Sequence, residues 1–127
     1  MKPQKIVLFS FLAVVAFDAL AAIVSQTMGF SYAYAAFGSA VLYIFFAWLI
    51  ARSSGLRAAV LLGMAMGLVD ASVGWAVSWA IGAGKLPPGA LTVGVWFLTA
   101  ISVVILGAVY GLVGGGLAAI TRRWRAA

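Results

Sequence analysis

Long stretches of this chain carry no charge at all, and only two acids interrupt the rest. Residues 6–28, 30–51 and 58–81 are apolar runs, and a fourth lies within 90–120. A helix needs about 20 apolar residues, rising 1.5 Å each, to cross roughly 30 Å of hydrocarbon. Three runs fit that length directly. The fourth is too long, so its spanning core is expected at 97–118. The stretch from Leu86 through Pro87, Pro88 and Gly89 then becomes an interfacial loop, with Trp96 near the lipid boundary. The runs are apolar on every face, whereas barrel strands alternate over about ten residues, so a β-barrel is excluded. Hydrophobic residues make up 66% of the 127, and charged ones 8%. A domain this small has too little interior to hide that excess from water. The sequence predicts an all-α, integral membrane four-helix bundle, forming a single transmembrane domain over residues 1–127.

The bases orient the bundle. Lys2 and Lys5 precede the first helix, Arg52 and Arg57 join the second to the third, and Arg122, Arg123 and Arg125 follow the fourth. The opposite side has only Lys85. Positive charge in short loops marks the cytoplasmic side, so both termini are expected there, in a multi-pass protein of a bacterial or archaeal plasma membrane. Tyr32, Tyr34, Trp75, Trp79 and Trp96 gather toward the outer ends, and Trp48 and Trp124 toward the inner ends, as an interfacial aromatic belt would. Lys2 and Lys5, the apolar stretch 6–17 and Ala19-Leu20-Ala21 also fit a cleavable signal peptide. The apolar run continues past that site through Val24, which favours a retained helix.

Absent residue types narrow the chemistry. The chain has no Cys and no His. That removes thiolate metal sites, disulfides, the usual haem ligand and the commonest general base. No metal, no cofactor and no enzymatic activity are expected. The net charge of +6 lies between apolar runs and not in a polar basic patch, so it reads as topology and not as nucleic-acid binding. The expected partner is the lipid bilayer.

The chain's only acids, Asp18 and Asp70, fall inside apolar runs. Each lies 13 residues after an inner base, Lys5 and Arg57 respectively. Helices one and three run in the same direction, so both carboxyls sit about 20 Å from the inner charges, a little past the midplane. The flanking residues match as well: Phe17-Asp18-Ala19 and Val69-Asp70-Ala71. Depth and direction suggest a parallel repeat of two helical hairpins. A charged acid at the helix centre costs about 2.5–3.5 kcal/mol, and no base lies in a helix core to pair with it. The acids must stay neutral, bind a cation, or hydrogen-bond to neutral groups. The same depth count reaches Ser39 on helix two and Tyr110 on helix four, with Tyr43 one turn further in. These hydroxyls are the expected hydrogen-bond partners.

Small residues supply the packing faces. Gly107, Gly111 and Gly115 form a stripe on helix four, and Gly63 and Gly67 form one on helix three. Such stripes let two backbones approach closely, within one chain or between two. A leucine at Gly111 is expected to harm assembly more than one at Gly84. Acids inside membrane helices usually mark transport paths. The expected function is a small proton- or cation-coupled transporter or channel subunit, with Asp18 and Asp70 as its proton or cation site. Four helices enclose little space, so a homodimer is expected, and the ion or small-molecule substrate is unknown. The alternative is a non-transporting membrane subunit or assembly factor, in which the acids and glycines fasten helices together.

Overall fold

A computed structural model describes residues 1–126. They fold into helices α1 (Pro3–Met28), α2 (Ala35–Val69), α3 (Trp75–Ile81) and α4 (Val93–Ala126). A 3-10 turn (Tyr32–Tyr34) leads into α2, a π-turn (Asp70–Gly74) joins α2 to α3, and no strand occurs among the described residues. Three helical stretches are long and apolar enough to cross a membrane: Pro3–Met28, Tyr32–Ile81 and Val93–Ala126. The protein is therefore an all-helical membrane protein.

The second stretch is 50 residues long. Straight, it would extend about 75 Å, more than twice a hydrocarbon core. It is not straight. Gly55 has φ 83° and ψ −179°, a conformation that only glycine adopts readily. Contacts along α4 show what this residue does. Before Gly55, Tyr43 packs on Tyr110, Gly114 meets Ile44 and Ala47, and the Arg122 Nη2 donates to the Ala51 carbonyl at 2.8 Å. That limb runs parallel to α4. After Gly55, Gly111 meets Ala59, Gly107 meets Gly63, and Val103 meets Gly67. This limb runs antiparallel to α4. Gly55 thus turns α2 back on itself, and Arg122 satisfies a carbonyl left open at the end of the first limb. The expected six-residue connection, 52–57, is a single non-helical residue.

The glycine stripes are consumed within the chain. A Cβ on Gly63 would overlap the Gly107 carbonyl, and one on Gly107 the Gly63 carbonyl. Gly115 packs on Leu56 and Ala59 in the same way. Only Gly116 of this group faces open space. Helix α1 packs beside both limbs. Phe17 lies against Gly38, and Gln26 approaches Gly82. The core where the helices meet contains Val14, Tyr43, Leu62 and Met66. The outward faces carry Leu12, Leu20, Val41, Leu61, Leu98 and Ile105, all exposed. That is the inside-out distribution a bilayer permits, since lipid tails are as apolar as leucine.

Three helix starts and one end differ from the sequence reading, the first being α1, which begins at Pro3 and not at residue 6. The second helix begins at Ala35 and not at residue 30. Gly29 closes α1 with φ 73°, and the Ser31 Oγ accepts from the Ala33 amide at 3.3 Å, which organises a short 3-10 turn first. Helix α4 begins at Val93 and not at residue 97, because Thr92 caps it: its Oγ1 accepts from the Val95 amide at 3.1 Å. It also continues past residue 118, since Arg123 and Arg125 in its last turn complement the helix dipole.

Candidate functional site

The π-turn organises the site. A π-turn inserts one extra residue into a helix and re-aims the side chains around it. Here it holds Asp70 at its first position and Gly74 at its last. The chain's two acids meet at this turn. A Cβ on Gly74 would collide with the Asp18 Oδ2 and would stand 3.4 Å from the Asp70 Oδ1. Both carboxyls therefore crowd the same point beside Gly74. Any side chain at Gly74 would enter the space where they meet.

Each carboxyl is held on its other oxygen by a tyrosine. The Tyr43 hydroxyl donates to the Asp70 Oδ2 at 2.8 Å. The Tyr32 hydroxyl donates to the Asp18 Oδ1 at 3.3 Å. Asp18 is 2% exposed, and its Oδ2 is buried with no hydrogen-bond partner among the described residues. An unsatisfied buried carboxyl oxygen is costly, and the Asp70 carboxyl beside Gly74 can share a proton with it.

A cavity of about 240 Å³ opens beside the pair. Asp18, Asp70, Tyr32, Tyr43, Ser39 and Tyr110 contribute to its wall. The structure therefore brings Asp18 and Asp70 together beside Gly74 and bonds Tyr43 to Asp70, whereas Ser39 and Tyr110, expected as further partners, line the same wall with no hydrogen bond to either acid among the described residues. Tyr110 packs edge-on against Tyr43, with ring centroids 5.9 Å apart. The glycines Gly63, Gly67, Gly107, Gly111 and Gly115 lie outside the site and position the helices that form it.

Sequence reasoning assigns Tyr32 to the outer aromatic belt. That assignment assumes that the second helix starts at residue 30, with Tyr32 at its outer end. The 3-10 turn instead folds the Tyr32 ring inward, onto the acid pair. Trp96, placed near the lipid boundary, also reaches the site's scaffold. Its Nε1 donates to the Ala71 carbonyl at 3.1 Å, inside the π-turn. That bond ties α4 to the segment carrying Asp70. Trp96→Phe is expected to keep the helical fold and to lower thermal stability in detergent by about 1 kcal/mol, the net worth of one hydrogen bond. An unchanged unfolding midpoint would show that this bond does not hold α4 to the π-turn.

No group of three or more His, Cys, Asp or Glu side chains that could hold a metal ion occurs among the described residues. Two carboxyls, their tyrosine donors and an adjoining cavity can hold a proton and exchange it for a cation. Comparison with family models, with curated proteins and with solved structures finds no match.

Proposed function

We propose that this protein is a small, non-enzymatic, proton-linked cation transporter whose exchange site is the Asp18–Asp70 pair. The observation that carries this reading is the meeting of the chain's only two acids, with the buried Asp18 Oδ2 left without any other partner. Two carboxylates in contact repel too strongly to be ionised together. The pair holds one proton between the Asp18 Oδ2 and the Asp70 Oδ1. A cation entering the cavity offsets the remaining charge and displaces that proton.

The transporter crosses the membrane four times in this reading. The two limbs of α2 about Gly55 count as separate crossings, and both termini lie in the cytoplasm of a bacterial or archaeal cell. The antiparallel limbs and the seven bases at one end support this topology. The parallel course of α1 and α3 supports two hairpins of like orientation. A homodimer would have to form through lipid-facing side chains, because the glycine stripes are already occupied. Reporter fusions after Thr27 and after Lys85 are expected to read outside, and one after Gly55 inside. A Gly55 fusion reading outside would reverse the orientation.

The tyrosine bonds favour a second reading, in which the acids serve helix association, since Tyr43 and Asp70 tie the two limbs together. The two readings separate by proton release. Purified protein in weakly buffered detergent solution is titrated with candidate cations, beside Asp18→Asn and Asp70→Asn. Release from the native protein alone supports exchange. Equal behaviour of all three leaves association as the role of the pair.

A further inference from the structure

We propose that the cation taken by this site is a monovalent organic ammonium ion with a compact apolar body. This rests on the exchange reading above and adds the class of substrate. The size of the cavity is the first reason. At about 240 Å³ it is larger than the roughly 150 Å³ apolar cavity that holds benzene, so it has room for about ten non-hydrogen atoms. A proton or a bare metal ion would leave most of that space empty.

The chemistry of the wall is the second reason. Beyond the acids and their tyrosine donors, the lining is Ala33, Ala35, Ala36, Val103 and Leu106, with the hydroxyls of Ser39 and Tyr110. The five aliphatic side chains offer no oxygen to replace the water shell of an inorganic ion. They do offer dispersion contact to an apolar body. Asp18 and Asp70 supply negative charge, and the Tyr32 and Tyr43 hydroxyls donate to them. A ligand that fits both parts has a cationic head and an apolar remainder.

The position of the mouth is the third reason. Ala36 and Leu106 line the cavity and are both exposed on the side of the bundle. Each lies 16 residues before a base, Arg52 and Arg122 respectively. That places the mouth about 24 Å from the basic end, still within a hydrocarbon core of roughly 30 Å. A ligand reaching this mouth must partition into lipid, as an amine with an apolar body does and a hydrated inorganic ion does not. The charge balance is simple. The singly protonated pair carries one negative charge. When one monovalent cation binds and one proton leaves to the bulk, the occupied site again carries one negative charge.

Benzylammonium tests this, with benzyl alcohol as the neutral analogue of nearly the same shape and sodium as the inorganic cation. Proton release is measured on full-length protein in lipid nanodiscs. Benzylammonium is expected to release about one proton per chain in a saturable manner, and the other two none. Release by sodium without release by benzylammonium would overturn the substrate class and leave the exchange site standing. Release by neither cation would overturn both. Ala36→Trp is the second variant. It fills the mouth from a position that makes no hydrogen bond to the acids, and is expected to weaken benzylammonium binding ten-fold or more while the protein stays folded. Unaltered binding in Ala36→Trp would overturn the assignment of the ligand to this cavity.

Discussion

Gly111→Leu is expected to prevent the helices from packing, whereas Gly116→Leu leaves the protein folded. The two glycines are five residues apart on α4, so intrinsic helix propensity cancels in the comparison. Their surroundings do not. A Cβ on Gly111 would stand 2.6 Å from the Ala59 carbonyl oxygen and 2.8 Å from the Val60 Cα. Both atoms belong to backbone and cannot swing away as a side chain would. Overpacking a core commonly costs about 1–3 kcal/mol when side chains can adjust, so a leucine against two fixed backbones should exceed about 3 kcal/mol. At Gly116 nothing lies within 4 Å of the Cβ, and a leucine there adds one more lipid-facing side chain. Gly84 is a poorer control, because its φ of 68° strains any side chain regardless of space. The measurement is thermal unfolding in detergent followed by circular dichroism. Equal destabilisation by Gly111→Leu and Gly116→Leu would mean that the close approach of α4 to α2 does not hold the bundle together.

Membrane character was legible because it rests on a sum over many residues. No single error in reading residues 6–28 or 58–81 could turn a run of apolar side chains into a soluble helix. The acid pair was legible in part for a similar reason. Depth depends only on the constant rise of a helix, and counting from Lys5 and from Arg57 brings Asp18 and Asp70 to one level. The same count reached Ser39 and Tyr110, and the tyrosine that bonds Asp70, Tyr43, lies one turn further in. The contacts that depend on local backbone departures were not legible. The turn at Gly55, the 3-10 segment that folds Tyr32 inward and the π-turn that offers the Ala71 carbonyl to Trp96 each break regular helical geometry. A count that assumes 1.5 Å per residue passes straight through them. A small clue existed in each case. Gly55 lies between bases, Gly29 and Ser31 are a cap and a turn former, and Gly74 sits four residues after an acid. None of these fixes a direction in space without the packing around it. The glycine stripes were visible as stripes, but their partner was not, because a sequence does not say which backbone fills a groove.

Asp18→Asn and Asp70→Asn are expected to abolish cation-driven proton release while leaving the fold intact. The native protein should release about one proton per chain on binding benzylammonium, and either variant none. An amide matches a protonated carboxyl in shape, so each substitution is sterically mild. In Asp70→Asn the amide oxygen can still accept from the Tyr43 hydroxyl, and in Asp18→Asn it can accept from the Tyr32 hydroxyl. The amide N–H of either variant can donate to the remaining carboxyl, which satisfies the oxygen that the native Asp18 leaves open. Helix packing and thermal stability should therefore stay close to native. The proton is what the variants lack. An amide cannot give one up at any accessible pH, and the remaining acid, bonded by that amide, no longer has a like-charged neighbour to share with. Asp18→Leu and Asp70→Leu separate the two roles of the pair. Leucine removes the hydrogen bonds as well as the proton, so it should lower thermal stability where asparagine does not. Full proton release from the double asparagine variant would remove the acids from the exchange step. Loss of stability with leucine and native behaviour with asparagine, in every assay, would assign Asp18 and Asp70 to helix association alone.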